Sequence, residues 1–561
     1  MTWATAARRL PGRRDYRTAR TSWRADLVAG VTVAIVALPL ALGFGVASGL
    51  GAEAGVVTAI VAGVVAGAFG GSHVQVSGPT GAMTVVLVPV VATVGPAGVA
   101  IVALLAGLVL VALGAARLGR YAGILPWPVV EGFTVGIALL IFLQQVPAAL
   151  GVAKPDGENT AAVAVRAVAA WGGATWTTLL VVGLVAAVMA ALPRLHHGLP
   201  ASLAAVVAAT GLAEIAGLHV ARIGHIPAGL PAPGLPDLSG GHVAQLASAV
   251  VAVAALAAIE SLLSAKVADG MADGEPHDPD RELVGQGLAN VAVSFFGGMP
   301  ATGAIARTAV NVRAGARTRL AAIIHGVVLA IIVLALAPLL ARVPLAALAG
   351  VLMVTAVRMI EFGTVGRILR STPSDALLLT VTAASTVAFD LVVAVGAGVA
   401  LASLLALKAM ADATTIARDV ASAAELVDAT LEHELLDQHI VAYRLDGALF
   451  FGAAQRFLLE LTEISDVEVV ILRLGNLRVL DSTGAQALAD LIAHLQHRGI
   501  TVLLASVQPA HRRLLARTGA LDALAHERHL MPTMREALEH ARTHVRRGSA
   551  AAQAIPIVLT R

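Results

Sequence analysis

The sequence predicts a polytopic α-helical membrane protein of fourteen segments in a seven-plus-seven inverted repeat, followed by a small cytoplasmic α/β domain. Three observations predict it. First, 57% of the 561 residues are hydrophobic and only 13% charged, with a mean hydropathy of +0.82. Soluble domains are about 45–50% apolar and about 25% charged. Second, the stretches VSGPTGAMTVV (76–86) and GMPATGAIART (298–308) break the apolar pattern in the same way. Each places Thr-Gly-Ala just after a proline, Pro79 or Pro300. Third, beyond about residue 412 charges become common and short β-like runs alternate with amphipathic helices, the pattern of a small α/β domain.

A bilayer core needs about 20 apolar residues per helix. Such runs occupy 27–47, 53–71, 97–114, 124–146, 174–192, 199–217, 244–268, 282–297, 319–340, 344–360, 373–389 and 391–411. Two shorter segments broken by Gly and Pro, beginning at Gly78 and Thr302, bring the total to fourteen, seven on each side of about residue 220. The N-terminus, 1–26, is basic, and the apolar run from Leu27 is too long for a signal core, so it is expected to stay as the first span. With both termini in the cytoplasm, eighteen Lys and Arg fall on inner segments. Only Lys154, Arg166, Arg222 and Arg342 fall on outer loops, the asymmetry of the positive-inside rule. An odd count per half inverts one half against the other. A broken segment in third place of each half then matches the inverted-repeat transporter plan, in a multi-pass protein of the inner (plasma) membrane. The transmembrane region is thus 27–411, followed by a linker, 412–436, the α/β domain, 437–545, and a tail, 546–561, without a structure signal. Within the domain 439–447, 467–476 and 500–507 read as strands, and 453–464 and 483–499 as helices.

Composition also narrows the function. Without cysteine there are no disulfides, thiolate metal sites or cysteine nucleophiles. A net charge of +3 and a pI near 9.6 reflect arginine at a membrane rather than a nucleic-acid footprint. No enzyme and no cofactor are expected.

Irregular backbone at membrane depth survives only where protein or a water-filled cavity surrounds it. A broken span therefore marks a site. It sets a helix N-terminus near mid-membrane, with free N–H donors and about half a positive elementary charge. Thr80 or Thr302 suits the cap of such a start, and the neighbouring glycines allow close approach to the backbone. Two opposed starts make an anion site with little side-chain charge. Glu260 lies well inside a predicted span, and an intramembrane carboxylate is a functional candidate by default. Ser264, four residues on, shares its helix face. Arg307 falls one turn into the second broken segment. Glu131 and Asp390 lie near predicted helix ends and read as interfacial or structural. With Arg307 and two helix starts, the site carries a net charge of about +1 when Glu260 is ionised and about +2 when H⁺ or Na⁺ neutralises it. Cation binding then favours the anion. The alternative is a fixed Glu260–Arg307 ion pair that only joins helices.

The stretches AGVTVAIVALPLALGFGVASG (29–49), VSGPTGAMTVVLVPVV (76–91) and 282–326 resemble the SulP family of anion transporters, and VLDSTGAQAL (479–488) resembles the signature of a STAS domain. The resemblance spans about residues 25–530 and implies core and gate domains, elevator-type alternating access and a homodimer. It implies an anion held between the third and tenth segments. Phe44 from the first segment lines the site, and the backbone around Thr80, Gly81, Ala82, Gly303 and Ala304 supplies donors. Arg307 matches a basic position near that anion. Na⁺-driven bicarbonate members use an Asp, and a Thr four residues later. Here those positions are Glu260 and Ser264, and Ile305 stands where a threonine contributes. Glutamate with a smaller hydroxyl fits a proton at least as well, so a Na⁺ site at Glu260, Ser264 and Gly303 stays open beside H⁺ coupling. In Asp481-Ser482-Thr483-Gly484 two readings stand: Ser482 as a phosphorylated serine, or as a helix cap. The loop 268–283, with His277, lacks EF-hand spacing and reads as solvated.

The leading expectation is a secondary active transporter of an inorganic oxyanion, sulfate or bicarbonate, coupled to H⁺ or Na⁺. The expected partners are a small inorganic anion, the lipid bilayer, a second copy of the chain and a cytoplasmic regulator of the STAS domain, with no nucleic acid. Alternatives are a dicarboxylate transporter, a nucleobase transporter of the same seven-plus-seven plan, an anion channel, or a signalling scaffold.

Overall fold

The computed structural model describes the chain apart from residues 1–10, 17–18, 121–125, 158, 174, 196–198, 228, 237–244, 273–274, 390, 413–414, 419–438, 450–466 and 554–561. Asp390 and the helix expected at 453–464 lie outside the described residues. Two compact units divide at Ala400 and Leu401, within the last long apolar helix.

The first half of the membrane unit runs α1 (Ala19–Ser48), α2 (Ala52–Phe69), β1 (Ser77–Gly78), α3 (Gly81–Thr93), α4 (Pro96–Ala115), α5 (Trp127–Gln144), α6 (Val146–Leu150), α7 (Thr160–Ala170), α8 (Trp176–Leu195) and α9 (Ala201–Ile215). The second runs α10 (Ala247–Met271), α11 (Pro279–Phe295), β2 (Thr302–Gly303), α12 (Ile305–Arg313), α13 (Leu320–Leu340), α14 (Leu345–Met359), α15 (Phe362–Ser371), α16 (Pro373–Ala388) and α17 (Leu391–Asp412). All fourteen expected segments are present. Among the described residues eight helices are long and apolar enough to cross a membrane. Besides α6, a five-residue turn of helix just after α5, two helices were not foreseen, α7 and α15. Both are too short to register as spans. Asn159 caps α7 by accepting from the Ala162 N–H at 3.1 Å, and α15 buries only Thr364 and Ile368, one turn apart. The broken segments also begin later than expected. Residues 77–78 and 302–303 are strand, and the helices start at Gly81 and Ile305.

Helix pairing sorts this unit into two groups. In one, α11 packs on α2 and α4, α13 on α1 and α2, and α10 on α4 and α12. In the other, α16 packs on α5, and α14 on α5, α8 and α9. Small residues set the closest approach. A Cβ on Gly107 of α4 would stand 2.7 Å from the Gly287 carbonyl oxygen, and one on Gly287 of α11 would stand 2.6 Å from that of Gly107. Only glycine at both places lets these backbones meet.

Several charges counted as inner-loop residues are structural. Arg281 donates from Nη1 and Nη2 to the two oxygens of Asp15, each at 2.9 Å, a bidentate fork. Arg319 lies beside the same carboxylate at 3.5 Å and donates to the Gly70 carbonyl. Asp26 is fully buried and accepts from the Arg317 and Thr318 N–H groups just ahead of α13. The loop read as solvated is likewise tied in. His277 Nδ1 lies 2.6 Å from Asp269, and Asp278 caps α11 by accepting from the Asp280 and Arg281 N–H groups.

Burial alone pushes the Asp15 pKa up, but hydrogen bonds from Arg281 and Gly12 and the fields of Arg319 and Arg281 outweigh it and hold it below the usual value. A depressed carboxylate stabilises the fold fully above its unfolded pKa, near 4, and loses that contribution as pH falls through the folded value. Asp15→Asn is expected to cost about 2 kcal/mol, less than a fully buried pair because some exposure remains. Thermal melts of the detergent-solubilised protein between pH 7 and 3 check this. The wild type should lose its advantage over the variant below about pH 4.

In the second unit β3 (Thr415–Arg418), β4 (Ile440–Leu449), β5 (Val469–Arg473), β7 (Thr501–Ala505) and β8 (Leu530–Met531) form one sheet in that order, with β6 (Leu477–Leu480) also pairing with β4. Among the described strands of this sheet only the β3–β4 pair is antiparallel. Strand alternation divides the core. Val470, Leu472, Val502 and Leu504 pack with α18 (Ser482–His497) and α19 (Pro509–Arg517). Val469, Ile471 and Leu503 pack with Ala537 and Ala541 of α20 (Met534–Gln553). That last helix continues beyond the boundary at 545 drawn from the sequence.

Candidate functional site

The two broken segments meet. β1 and β2 pair antiparallel, Ser77 opposite Gly303 and Gly78 opposite Thr302, and the Ala304 N–H donates to the Val76 carbonyl at 2.9 Å. This short ladder absorbs backbone groups that lipid could not satisfy. It also sets the starts of α3 and α12 against each other.

A polar stripe on α11 holds both crossing loops. Glu282, Gln286 and Asn290 fall at i, i+4 and i+8, one face of the helix. Glu282 accepts from the Gly71 and Ser72 N–H groups at 2.7 and 3.1 Å. Gln286 Nε2 donates to Glu282 at 2.8 Å and to Ser77 Oγ at 2.6 Å. Asn290 exchanges two bonds with Ala301, at 2.8 and 2.9 Å. On α2, Thr58 Oγ1 accepts from the Met299 N–H at 2.7 Å.

Glu260 of α10 reaches both starts at once. Its Oε2 accepts from Thr80 Oγ1 at 3.0 Å and from Thr302 Oγ1 at 2.8 Å. Thr80 is also the N-cap of α3, as its residue type suggests, accepting from the Met83 N–H. Thr302 is not a cap: Ala304 occupies the cap position of α12, with no side-chain bond. Thr302 Oγ1 lies 2.9 Å from the Gly303 carbonyl as well, and its single proton serves either that oxygen or Glu260.

The expected neighbours of Glu260 divide. Ser264 is fully buried but bonds Thr308 Oγ1 at 3.2 Å. Ser261 is the residue that meets β2, accepting from the Gly303 N–H at 3.0 Å. Arg307 forms no ion pair with Glu260. Its Nη2 donates to the Pro79 carbonyl, and its Nη1 is buried without a partner. A Cβ on Gly78 would crowd that Nη1, so a side chain there would displace the guanidinium. The fixed ion pair considered from sequence is therefore corrected: Arg307 spans from α12 to the loop ahead of α3.

The N–H donors are also reassigned. Those of Gly303 and Ala304 are used by Ser261 and Val76. The uncapped first turn of α12 offers Ile305, Ala306 and Arg307 instead, and α3 offers Gly81 and Ala82. Ile305 is 44% exposed, so this turn faces open space. Phe44 of α1 packs at the other start: a Cβ on Gly81 would lie 3.2 Å from its ring and 2.1 Å from Ile141. Ala82, Met83, Phe133 and Ile137 continue the apolar collar. Gln75, with both amide atoms buried and unpartnered, packs on Gly303. Sequence reasoning missed Gln75, Ser261, Thr308 and the α11 stripe. The spacing of the stripe within an apolar run was the available signal.

In the α/β domain Asp481, not Ser482, caps α18, accepting from the Gly484 N–H at 2.7 Å. Ser482 and Thr483 are exposed in the first turn. A Cβ on Gly484 would lie 2.2 Å from the Leu449 carbonyl, so this residue lets α18 lie close to β4.

Residues 23–382 match the model of the Sulfate permease family, and residues 436–537 that of the STAS domain. A Bacillus subtilis protein named as a sulfate transporter, YvdB, is 35% identical over 504 residues, covering 88% of this chain and 93% of its own. The bicarbonate transporter BicA of Picosynechococcus is 32% identical over 538 residues, covering 92% and 94%. The solved transmembrane domain of a cyanobacterial BicA superposes with a TM-score of 0.61 at 34% identity, covering 67% of this chain and 97% of that one. Murine Slc26a9, at 17% identity, shares the fold over 97% of this chain and 95% of its own with a TM-score of 0.82.

Proposed function

The chain belongs to the Sulfate permease family of membrane anion transporters, and from that premise we propose that it is a secondary active transporter of a small inorganic oxyanion, sulfate or bicarbonate. The observation that carries this reading is the β1–β2 crossing. It opposes two helix starts and leaves Arg307 Nη1 buried beside Gly78 without a partner. A buried guanidinium nitrogen without an acceptor calls for an anion or water. Backbone N–H groups and one arginine select charge and size.

Glu260 is the proposed coupling group. Ionised, it draws both threonine hydroxyls and offsets about one unit of the positive charge of Arg307 and the helix starts. Neutralised, it releases the hydroxyl of Thr302 toward the Gly303 carbonyl and leaves the site more positive, so the anion binds more tightly. With Ser264 engaged by Thr308, a carboxylate and two hydroxyls suit a proton. A Na⁺ reading keeps Glu260, Thr80, Thr302 and the Gly303 carbonyl.

The two helix groups correspond to a gate and a core that carries both helix starts, moving as an elevator. On this reading the protein works in the inner membrane as a homodimer with cytoplasmic termini, and its STAS domain is the docking point for a regulator. Uptake of labelled sulfate, bicarbonate, fumarate and uracil into proteoliposomes under imposed H⁺ or Na⁺ gradients tests the reading. Accumulation of sulfate or bicarbonate driven by one gradient is the expected result. Fumarate alone would indicate a dicarboxylate carrier, and uracil without any anion would overturn the assignment. Flux that never exceeds electrochemical equilibrium would indicate a channel.

A further inference from the structure

A second chemical centre lies in the α/β domain, remote in sequence from the transport residues. His529 ends a short 3-10 turn, Glu527–His529, that leads into the edge strand β8. Four residues later Thr533 opens α20 with a reciprocal cap: it accepts from the Glu536 N–H at 3.2 Å, and its hydroxyl lies 2.9 Å from the Glu536 carboxylate. That cap fixes the direction of the helix. Ala537 and Ala541 are buried against the sheet, and the packing carries His540 and His544, one turn apart, back over His529.

One ring nitrogen from each of His529, His540 and His544 lies within 4.8 Å of the other two. Ring centroids are 4.9 Å apart for His540 and His544, 5.2 Å for His529 and His544, and 5.7 Å for His529 and His540. The rings meet edge to face, at 64° to 81°, rather than stacked. The Nε2 atoms of His540 and His544 are 3.3 Å apart. Two nitrogens on one tetrahedral zinc, at about 2.0–2.1 Å each, stand about 3.3–3.4 Å apart. His529 is buried, and its Nδ1 has no hydrogen-bond partner.

We propose that His529, His540 and His544 form a site for a divalent transition-metal ion, Zn²⁺ foremost, with the exposed His526 or water as fourth ligand. Imidazole nitrogen suits zinc, copper and nickel and disfavours magnesium and calcium, which take oxygen. The ligands must be neutral to coordinate. Burial, together with His544, His540 and His526, pushes His529 down to about 4, so its ring is neutral at physiological pH. His526 stands 6.1 Å from His529, ring to ring. A bound ion would tie the turn ahead of β8 to α20. The competing account of the 3.3 Å contact is a hydrogen bond between two neutral rings.

The test uses the full-length protein in detergent, stripped of metal with a chelator and titrated with Zn²⁺ against a chromophoric competitor. One Zn²⁺ per chain is expected, with no displacement by a large excess of Mg²⁺. A His540→Gln/His544→Gln double variant should bind at least tenfold more weakly while keeping its far-ultraviolet circular dichroism, since both side chains are partly exposed. X-ray absorption at the zinc edge of the wild type should show at least three nitrogen neighbours at about 2.0 Å with imidazole scattering. Equal binding by wild type and double variant, or a shell of oxygen alone, would overturn the proposal.

Discussion

Glu260→Gln is expected to abolish gradient-driven accumulation of the anion in proteoliposomes while leaving the helix starts in place. Glutamine keeps an oxygen for Thr80 and Thr302, so the bridge that Glu260 makes at 3.0 and 2.8 Å survives. It no longer exchanges a proton or changes charge. Coupling free energies of about 1–3 kcal/mol correspond to roughly 5–150-fold in affinity, and that is the difference the variant removes. Wild-type uptake should rise about tenfold or more across an inward gradient of the coupling ion, whereas uptake by the variant should be the same with and without it. Counterflow, which needs no net driving force, should persist. A variant that still concentrates anion against its gradient would place the coupling group elsewhere.

Arg307→Gln is expected to weaken anion binding by roughly 30-fold, the equivalent of about 2 kcal/mol for a lost charge-assisted bond. The side chain has two tasks. Nη2 holds the Pro79 carbonyl just ahead of α3, and Nη1 is the unpartnered donor. Lysine keeps the charge but not the fork, so Arg307→Lys serves one task at a time and should fall between glutamine and wild type. The concentration dependence of uptake and direct binding of labelled anion check this. The loss should appear in KM and Kd together. A KM unchanged in the glutamine variant would mean that Arg307 only joins the two segments.

The membrane architecture was legible because its signals are long-range averages. Apolar runs, the sidedness of basic residues and two matching interruptions all survive a reading without coordinates. The short helices α7 and α15 were not legible, since neither is long enough to span and each has its own local cap or amphipathic face. At the site the sequence pointed to Glu260, Arg307 and both Thr-Gly-Ala stretches. It did not reveal which atoms meet. Helix periodicity placed Ser264 on the face of Glu260, but contact depends on what crosses that face, and Thr308 of α12 takes Ser264 while β2 takes Ser261. The β1–β2 ladder pairs residues more than two hundred positions apart, which no local pattern encodes. In the α/β domain the strand-to-helix turn was clear, but whether Asp481 or Ser482 occupied the cap rested on a one-residue register.

The central claim is that the transported anion sits between the starts of α3 and α12. The most direct measurement is a density map of the reconstituted protein saturated with that anion, compared with a map recorded without it. The difference density is expected within about 3 Å of the N–H groups of Gly81 and Ala82 or of Ile305, Ala306 and Arg307, and of Arg307 Nη1. An anion found away from both helix starts, in a protein that transports it normally, would contradict the account.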